Sequence, residues 1–300
     1  MLLIFKKILL WSLFVLLLVL LLAGGGVLVL RKTIRPPVMS KKQALALLPK
    51  LPDMLDKVLV AVDNDGLVDY KKLRKHPKAL NQVLAVLAQV SPANAPHLFH
   101  TSDARLAYWI NAYNAAVLRN VLEFEGWKDM FSQWRKIRFF ALNRYVFGGK
   151  RWNLLDLENK WLRPRFREPL VHFAINCASF GCPNFPQKAF RAKDLQKRLR
   201  QEARRFFVQK RNVRVDSATK TIYLSPILLW FRSDFIKWGL SPAQVQKLRL
   251  QKQEPLLFYV NQYRPKGRKL PTSGVKLRFV DYDWRLNTRH GPARNSPLRR

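Results

Sequence analysis

The sequence predicts an α+β fold, with helices around a small, mainly antiparallel sheet, preceded by one transmembrane helix. Three observations lead there. Residues 8–30 carry no charge and almost no polar group. Apolar residues then recur at helical spacing through much of the chain, and short strand-like runs bounded by turn residues fall between the helical stretches. The uncharged run of about 23 residues would span about 34 Å as a helix, enough to cross a bilayer. A soluble helix buries one stripe, and this run has no polar face to leave in water.

Lys6 and Lys7 precede the run, and small residues at 23–26 offer a signal-peptide alternative. The apolar run continues past those small residues to Leu30, which favours an uncleaved anchor. The organisation expected is therefore a short basic segment at 1–7, an anchor at 8–30 and a juxtamembrane linker at 31–40 stiffened by Pro36 and Pro37. One α+β domain follows at 41–287, with a basic, disordered tail at 288–300.

Helical patterning starts at Ser40 and is interrupted by Pro49 and Pro52, giving a broken pair of helices. Residues 63–66 (DNDG) form a turn. They resemble a calcium loop without the glutamate that an EF-hand needs. Amphipathic helices are expected at 73–90 and 102–125, the second capped by Ser102 or Asp103 and ended by Gly126. A hairpin over 137–147 turns near Gly148 and Gly149. A short helix at 154–162 stops before Pro164. The almost wholly apolar run 170–175 reads as a buried strand. A long basic helix covers 192–208, a strand pair 213–215 and 221–224, and helices 228–238 and 242–260. A last strand covers 275–282.

The net charge of +36, from 55 Lys and Arg against 19 Asp and Glu, is the strongest compositional outlier. A hydrophobic fraction of 48% excludes a mainly disordered chain. Such a surface attracts anionic lipid or anionic glycan through screened forces. Nucleic acid is disfavoured, because neither zinc-finger spacing nor a glycine-rich phosphate loop occurs. The plainer alternative is that the basic residues only solubilise the surface.

Four segments in this order resemble one family: GLVDY at 66–70, YWINAYN at 108–114, HFAINC at 172–177 followed by Cys182 and Pro183, and YDWRLN at 282–287. The family is domain of unknown function 547. LDLE at 155–158, Leu162, Arg163, Leu224, Ser225, Trp230, Phe231, Asp234 and Phe235 add to the likeness. The resemblance implies one domain that often follows an export signal or anchor in bacteria. It therefore implies an inner-membrane protein with its domain on the periplasmic side, because the positive charges flanking the apolar run do not decide the orientation. Two positions depart from the family pattern: Asn159, where histidine is common, and Gly181, where serine is common.

The candidate site residues are Cys177, His172, Asn111, Asn114 and Glu158. Asn111 and Asn114 lie on one face of an otherwise apolar helix and need partners if buried, either as a polar lock between elements or as substrate contacts. Cys177 and Cys182 are the only cysteines. They suit a disulfide in an oxidising compartment, a metal site with His172, or a thiol nucleophile at Cys177 with a histidine base. A structural zinc would lack a fourth ligand, and no cofactor is expected. Five residues apart on an ideal strand, His172 and Cys177 point to opposite faces, so the chain must turn at Asn176 before they meet. Glu158 or Asp156 could orient a histidine, as in papain-like or transglutaminase-like arrangements. The leading expectation is a membrane-tethered basic envelope module that binds anionic lipid or glycan, with the cysteines bonded. The alternative is a thiol-dependent hydrolase or transferase using Cys177.

Overall fold

The computed structural model describes residues 31–124 and 132–290. The expected anchor at 8–30 and the basic segment before it lie outside these residues, as do Gly126 and residues 291–300. Among the described residues no helix is long and apolar enough to cross a membrane. The 22-residue helix Ser102–Glu123 has the length, but Asp103, Arg105, Asn111, Asn114, Arg119, Asn120 and Glu123 interrupt it. The fold class is corrected to α+β, with no transmembrane helix among the described residues. The single-pass, inner-membrane and periplasmic placement that rested on that helix is withdrawn.

Helix α1 (Lys41–Leu47) opens with a reciprocal cap between Ser40 and Gln43. It is separated from α2 (Leu51–Leu59) by a single 3₁₀ turn at Leu48–Lys50, which contains Pro49. The one helix expected at 73–90 is two, α3 (Tyr70–Lys75) and α4 (Lys78–Gln89). Pro77 divides them, because its ring would collide with a carbonyl one turn back. Helix α5 (Ser102–Glu123) is capped by Thr101, not by Ser102 or Asp103. It runs through the middle of the domain against α2, α3 and α4.

Residues expected to open a hairpin at 137 instead form helix α6 (Gln133–Ile137) and a π-helical segment, Arg138–Leu142. The hairpin itself follows, as β2 (Arg144–Phe147) and β3 (Lys150–Trp152). Strand β1 (Thr33–Ile34), within the expected linker, pairs parallel to β2 and buries Ile34 in the core. Beyond β3 come α7 (Leu154–Asp156), a second π-helical segment, Leu157–Leu162, and α8 (Arg163–Phe166).

The run 170–175 is not a strand. Pro169–Phe173 is a 3₁₀ helix whose first N–H is taken by the Glu168 side chain. Its side chains are buried on every side, and a short apolar run of this kind has no period to tell a strand from a helix. Helix α9 (Leu195–Phe207) packs on this segment and on α5.

The second sheet joins β4 (Val213–Asp216), β5 (Thr221–Leu224) and β6 (Lys276–Phe279). The β4–β5 pair is antiparallel and the β5–β6 pair parallel. Two three-stranded sheets, each with one parallel and one antiparallel pair, thus replace the single mainly antiparallel sheet. The helices expected at 228–238 and 242–260 are each split. The first is α10 (Ile227–Trp230) and α11 (Arg232–Lys237), the second α12 (Pro242–Leu250) and α13 (Pro255–Tyr263).

The turn at 63–66 ends on Gly66, which has φ +71° and lies hard against residues 184 and 185. A Cβ there would stand 2.6 Å from the Phe185 nitrogen. Gly66→Ala should lower stability by roughly 2–4 kcal/mol, from left-handed strain and overpacking together. Urea unfolding of the two proteins measures this, and an unchanged midpoint would show that the turn and the 184–185 backbone do not constrain each other.

Candidate functional site

Residues 174–183 form an irregular loop whose backbone is almost wholly buried. Buried N–H and C=O groups without a ladder need other partners, and side-chain amides supply them here. Asn114 donates to the Ala174 carbonyl at 2.9 Å and accepts from the Asn176 N–H at 3.0 Å. Asn176 donates to the Pro183 carbonyl and accepts from the Ala178 N–H, both at 2.6 Å. Asn287 donates to Asn176 at 3.3 Å and accepts from the Tyr70 hydroxyl at 2.6 Å. The 282–287 backbone adds bonds to Phe180 and Gly181, and the half-buried Arg211 donates to the carbonyls of Phe180 and Cys182. Asn111 makes a comparable clamp on Phe190, at 2.8 and 2.9 Å. Asn111 and Asn114 thus spend their amides on backbone, and neither lines the cavity described next.

Held this way, the loop forms one wall of a cavity of about 230 Å³. Cys177, Cys182, His172, Glu158, Tyr113 and Tyr282 all border it, with aromatic side chains from Phe140, Trp230, Phe231 and Trp284. Both π-helical segments contribute, one through Glu158 and the other through Phe140. Such segments are frequent at functional sites. Between the cysteines Ala178 adopts φ +64°, a left-handed conformation that costs a non-glycine residue on the order of 1 kcal/mol and is held by the Asn176 side chain.

Cys177 and Cys182 are bonded to each other. The Cys177 sulfur lies 3.0 Å from the Ser179 hydroxyl and 3.2 Å from that of Tyr282. These two hydroxyls are 2.8 Å apart. The Cys182 sulfur accepts from the Cys177 N–H at 3.0 Å and from Tyr282 at 3.3 Å. No hydrogen bond joins His172 to Cys177 among the described residues, although both face the cavity. Among those residues no group of three or more His, Cys, Asp and Glu side chains could hold a metal ion, so His172, Cys177 and Cys182 do not form a ligand set.

The carboxylate that orients His172 is Asp234, which sequence reasoning quoted in a motif without giving it a role. His172 Nε2 is 2.9 Å from Asp234 Oδ2. Arg163 donates to the same carboxylate through Nε at 2.6 Å and Nη2 at 3.0 Å, and also to Asn159. A carboxylate can only accept, so the His172 proton sits on Nε2 and Nδ1 is the ring's acceptor. The ring stacks on Phe231 with centroids 3.9 Å apart. Burial lowers the His172 pKa and outweighs the pull of Asp234, so the ring is neutral. Burial opposes ionisation of Asp234 as well, but the bonds from His172 and Arg163 prevail and hold it at about 2.

Among the described residues no hydrogen bond joins Glu158 to His172. Glu158 accepts from the Tyr113 hydroxyl at 3.2 Å, and burial pushes its carboxyl up to about 7 against that bond and the charge of Arg163. Asp156 is turned away, paired with Lys160 and bonded to Asn153. Tyr113, Ser179 and Tyr282 are site residues that the sequence reading missed. Tyr113 and Tyr282 stand in the quoted motifs, but nothing in a motif marks which hydroxyl reaches a sulfur or a carboxyl.

A model of the family described as "Protein of unknown function, DUF547" matches residues 99–207. That segment carries Asn111, Asn114, Glu158, His172 and both cysteines, and the match supports the family resemblance. It does not reach 66–70 or 282–287, and it does not bear on export or anchoring. No curated protein and no solved structure matches the chain.

Two outcomes follow from the geometry. Because the folded state binds the Glu158 proton more tightly than the unfolded chain, Glu158 costs stability as pH rises from about 4.5 to 7, and the cost persists above 7. Glu158→Gln should gain roughly 1–3 kcal/mol over the native protein across that window, measured by unfolding at pH 4.5 and pH 8. Asn114→Ala leaves a buried carbonyl and a buried N–H unpaired and should cost roughly 2–4 kcal/mol. A loss under 0.5 kcal/mol in denaturant titration would mean that water replaces the amide.

Proposed function

We propose that the cavity is the active site of a thiol-dependent hydrolase or transferase, with Cys177 as nucleophile once its bond to Cys182 is reduced. The observation that carries this reading is that Cys177 and a carboxyl, Glu158, which burial raises to about 7, line one cavity. A group with a pKa near the working pH can both give and take a proton.

In this reading the Cys177 thiolate adds to an acyl carbonyl, forming a carbon–sulfur bond and moving the carbonyl electrons onto oxygen. The hydroxyls of Ser179 and Tyr282, both within 3.2 Å of the sulfur, are the donors available to that oxyanion. Collapse expels the leaving group, which takes its proton from Glu158. Water or a second nucleophile then adds to the acyl carbon and gives its proton back to Glu158, and the carbon–sulfur bond breaks with its electron pair on Cys177. Neutral His172, fixed by Asp234, presents Nδ1 as a further proton acceptor. The aromatic walls favour an apolar or aromatic acyl group.

The test is turnover of aromatic esters and thioesters by the reduced protein. Activity should need reductant, fall at least about a hundredfold in Cys177→Ser, and lose its limb near pH 7 in Glu158→Gln. Turnover that survives Cys177→Ser would dismiss the thiol mechanism.

The charge supports a second reading, that the domain docks on anionic lipid or glycan. Lys197, Arg200 and Arg204 stand exposed along one side of α9 in a chain of net charge +36. Binding to anionic vesicles or to a sulfated glycan should weaken steeply as salt rises, and equal binding to neutral vesicles would remove this reading.

A further inference from the structure

We infer that the Cys177–Cys182 pair is itself a reactive couple, which exchanges with small aromatic thiols entering the cavity, with Cys177 as the attacked sulfur and Cys182 as the leaving one. This activity goes beyond carbonyl chemistry and does not require it.

The asymmetry between the two sulfurs carries the assignment. Cys177 is partly exposed on the cavity wall, whereas Cys182 is 5% exposed. The Tyr282 hydroxyl is within reach of both sulfurs, at 3.2 Å from Cys177 and 3.3 Å from Cys182, but Cys182 also accepts from a backbone donor, the Cys177 N–H at 3.0 Å, as a departing thiolate needs. A sulfur held by such donors leaves faster, because exchange rates rise with the stability of the leaving thiolate. Burial pushes the Tyr282 phenol well above its ordinary range, so it remains a donor throughout.

Tyr282 is aimed by its surroundings. Its ring packs on Trp230 and Trp284, with centroids 4.8 and 4.6 Å away. Its edge lies where a Cβ on residue 181 would stand, only 2.8 Å from Cε2, so Gly181 makes room for it. Gly181 therefore lets the ring sit flush against the cysteine loop. The same aromatic cluster forms the rim through which a thiol would pass, and Trp230 is 48% exposed there. An aromatic thiol would stack on this rim. A negative charge on its far end would suit a chain of net charge +36.

The chemistry balances with thiol as the only co-reactant. A thiolate attacks the Cys177 sulfur, the bond to Cys182 breaks and its electron pair stays on Cys182, leaving a mixed disulfide in the cavity. A second thiolate attacks the bound thiol's sulfur and releases Cys177. Two thiols become one disulfide, the protein disulfide becomes two thiols, and the protons are exchanged with solvent. The reverse sequence oxidises the thiols of the protein at the expense of an aromatic disulfide.

Reduction of the native, full-length protein by mercaptophenylacetate, cysteamine and dithiothreitol tests the inference, with free thiols counted by mass after quenching. The aromatic, anionic thiol should react at least about tenfold faster than cysteamine, with the mixed disulfide mapping to Cys177. Tyr282→Phe keeps the ring and removes the hydroxyl. It should slow reduction about tenfold and shift the equilibrium in a thiol–disulfide buffer towards the bonded form. Mixed disulfide at Cys182, or native rates equal to those of the denatured chain for all three thiols, would overturn the inference. Both measurements on the unaltered protein stand even if a variant fails to fold. Ester turnover plays no part in them, so a failed hydrolase reading would leave this result unchanged.

Discussion

The structure depends on how a buried stretch of irregular chain is kept hydrogen-bonded. Residues 174–183 have no ladder, yet nearly all of their backbone is out of water. Each unpaired group would cost about 1–3 kcal/mol, so several left unmade would consume much of a domain's net stability. Asn114, Asn176 and Arg211 meet that demand from three places in the chain, and Asn287 braces the Asn176 side chain. An amide suits the task because it offers a donor and an acceptor at fixed spacing, as a peptide group does. The cluster fixes the left-handed Ala178 and delivers two cysteines to a cavity wall.

This explains which parts of the site were legible in the sequence. Two asparagines three apart on an apolar helix must find partners if buried, and the pattern showed that before any coordinates did. Their partners could not be read, because Ala174 and Phe190 offer backbone, which has no sequence signature. Asp234 was hidden for another reason. It meets His172 across 62 positions, while Glu158 and Asp156 were nearer in sequence and looked equally able to orient the ring. Periodicity failed at 170–175, where every side chain is buried and the 3₁₀ turn leaves no polar face. It succeeded for α5 and α9, whose ends were placed within a few residues.

The larger division at Pro77 and the split near Pro255 show how proline acts in this chain. Apolar spacing continues across both, so pattern alone joined each pair of helices. The missing N–H and the ring's collision with the preceding turn separate them. The break ahead of Pro255 seats Glu254 as the cap of α13, and the break at Phe231 turns that ring onto His172. Helix interruption thus positions one face of the cavity.

Two carboxylates near this cavity sit about five pKa units apart, and the cause is geometric. Both are buried, and burial alone would raise both. Asp234 has a bidentate guanidinium and an imidazole N–H on its oxygens, and these favour the anion strongly enough to hold it at about 2. Burial outweighs what Glu158 has among the described residues, a bond from the Tyr113 hydroxyl and the more distant charge of Arg163, and with Asp234 adding repulsion it stays at about 7. Moving Arg163 from one to the other would exchange their roles. Asn159 bears on this, since its side chain takes a further N–H of the same guanidinium. A histidine at 159 would compete for that group or add a second imidazole beside Glu158. With asparagine there, Arg163 is fully committed to Asp234 and Asn159, and Glu158 is left as the group in the cavity whose charge changes near neutral pH.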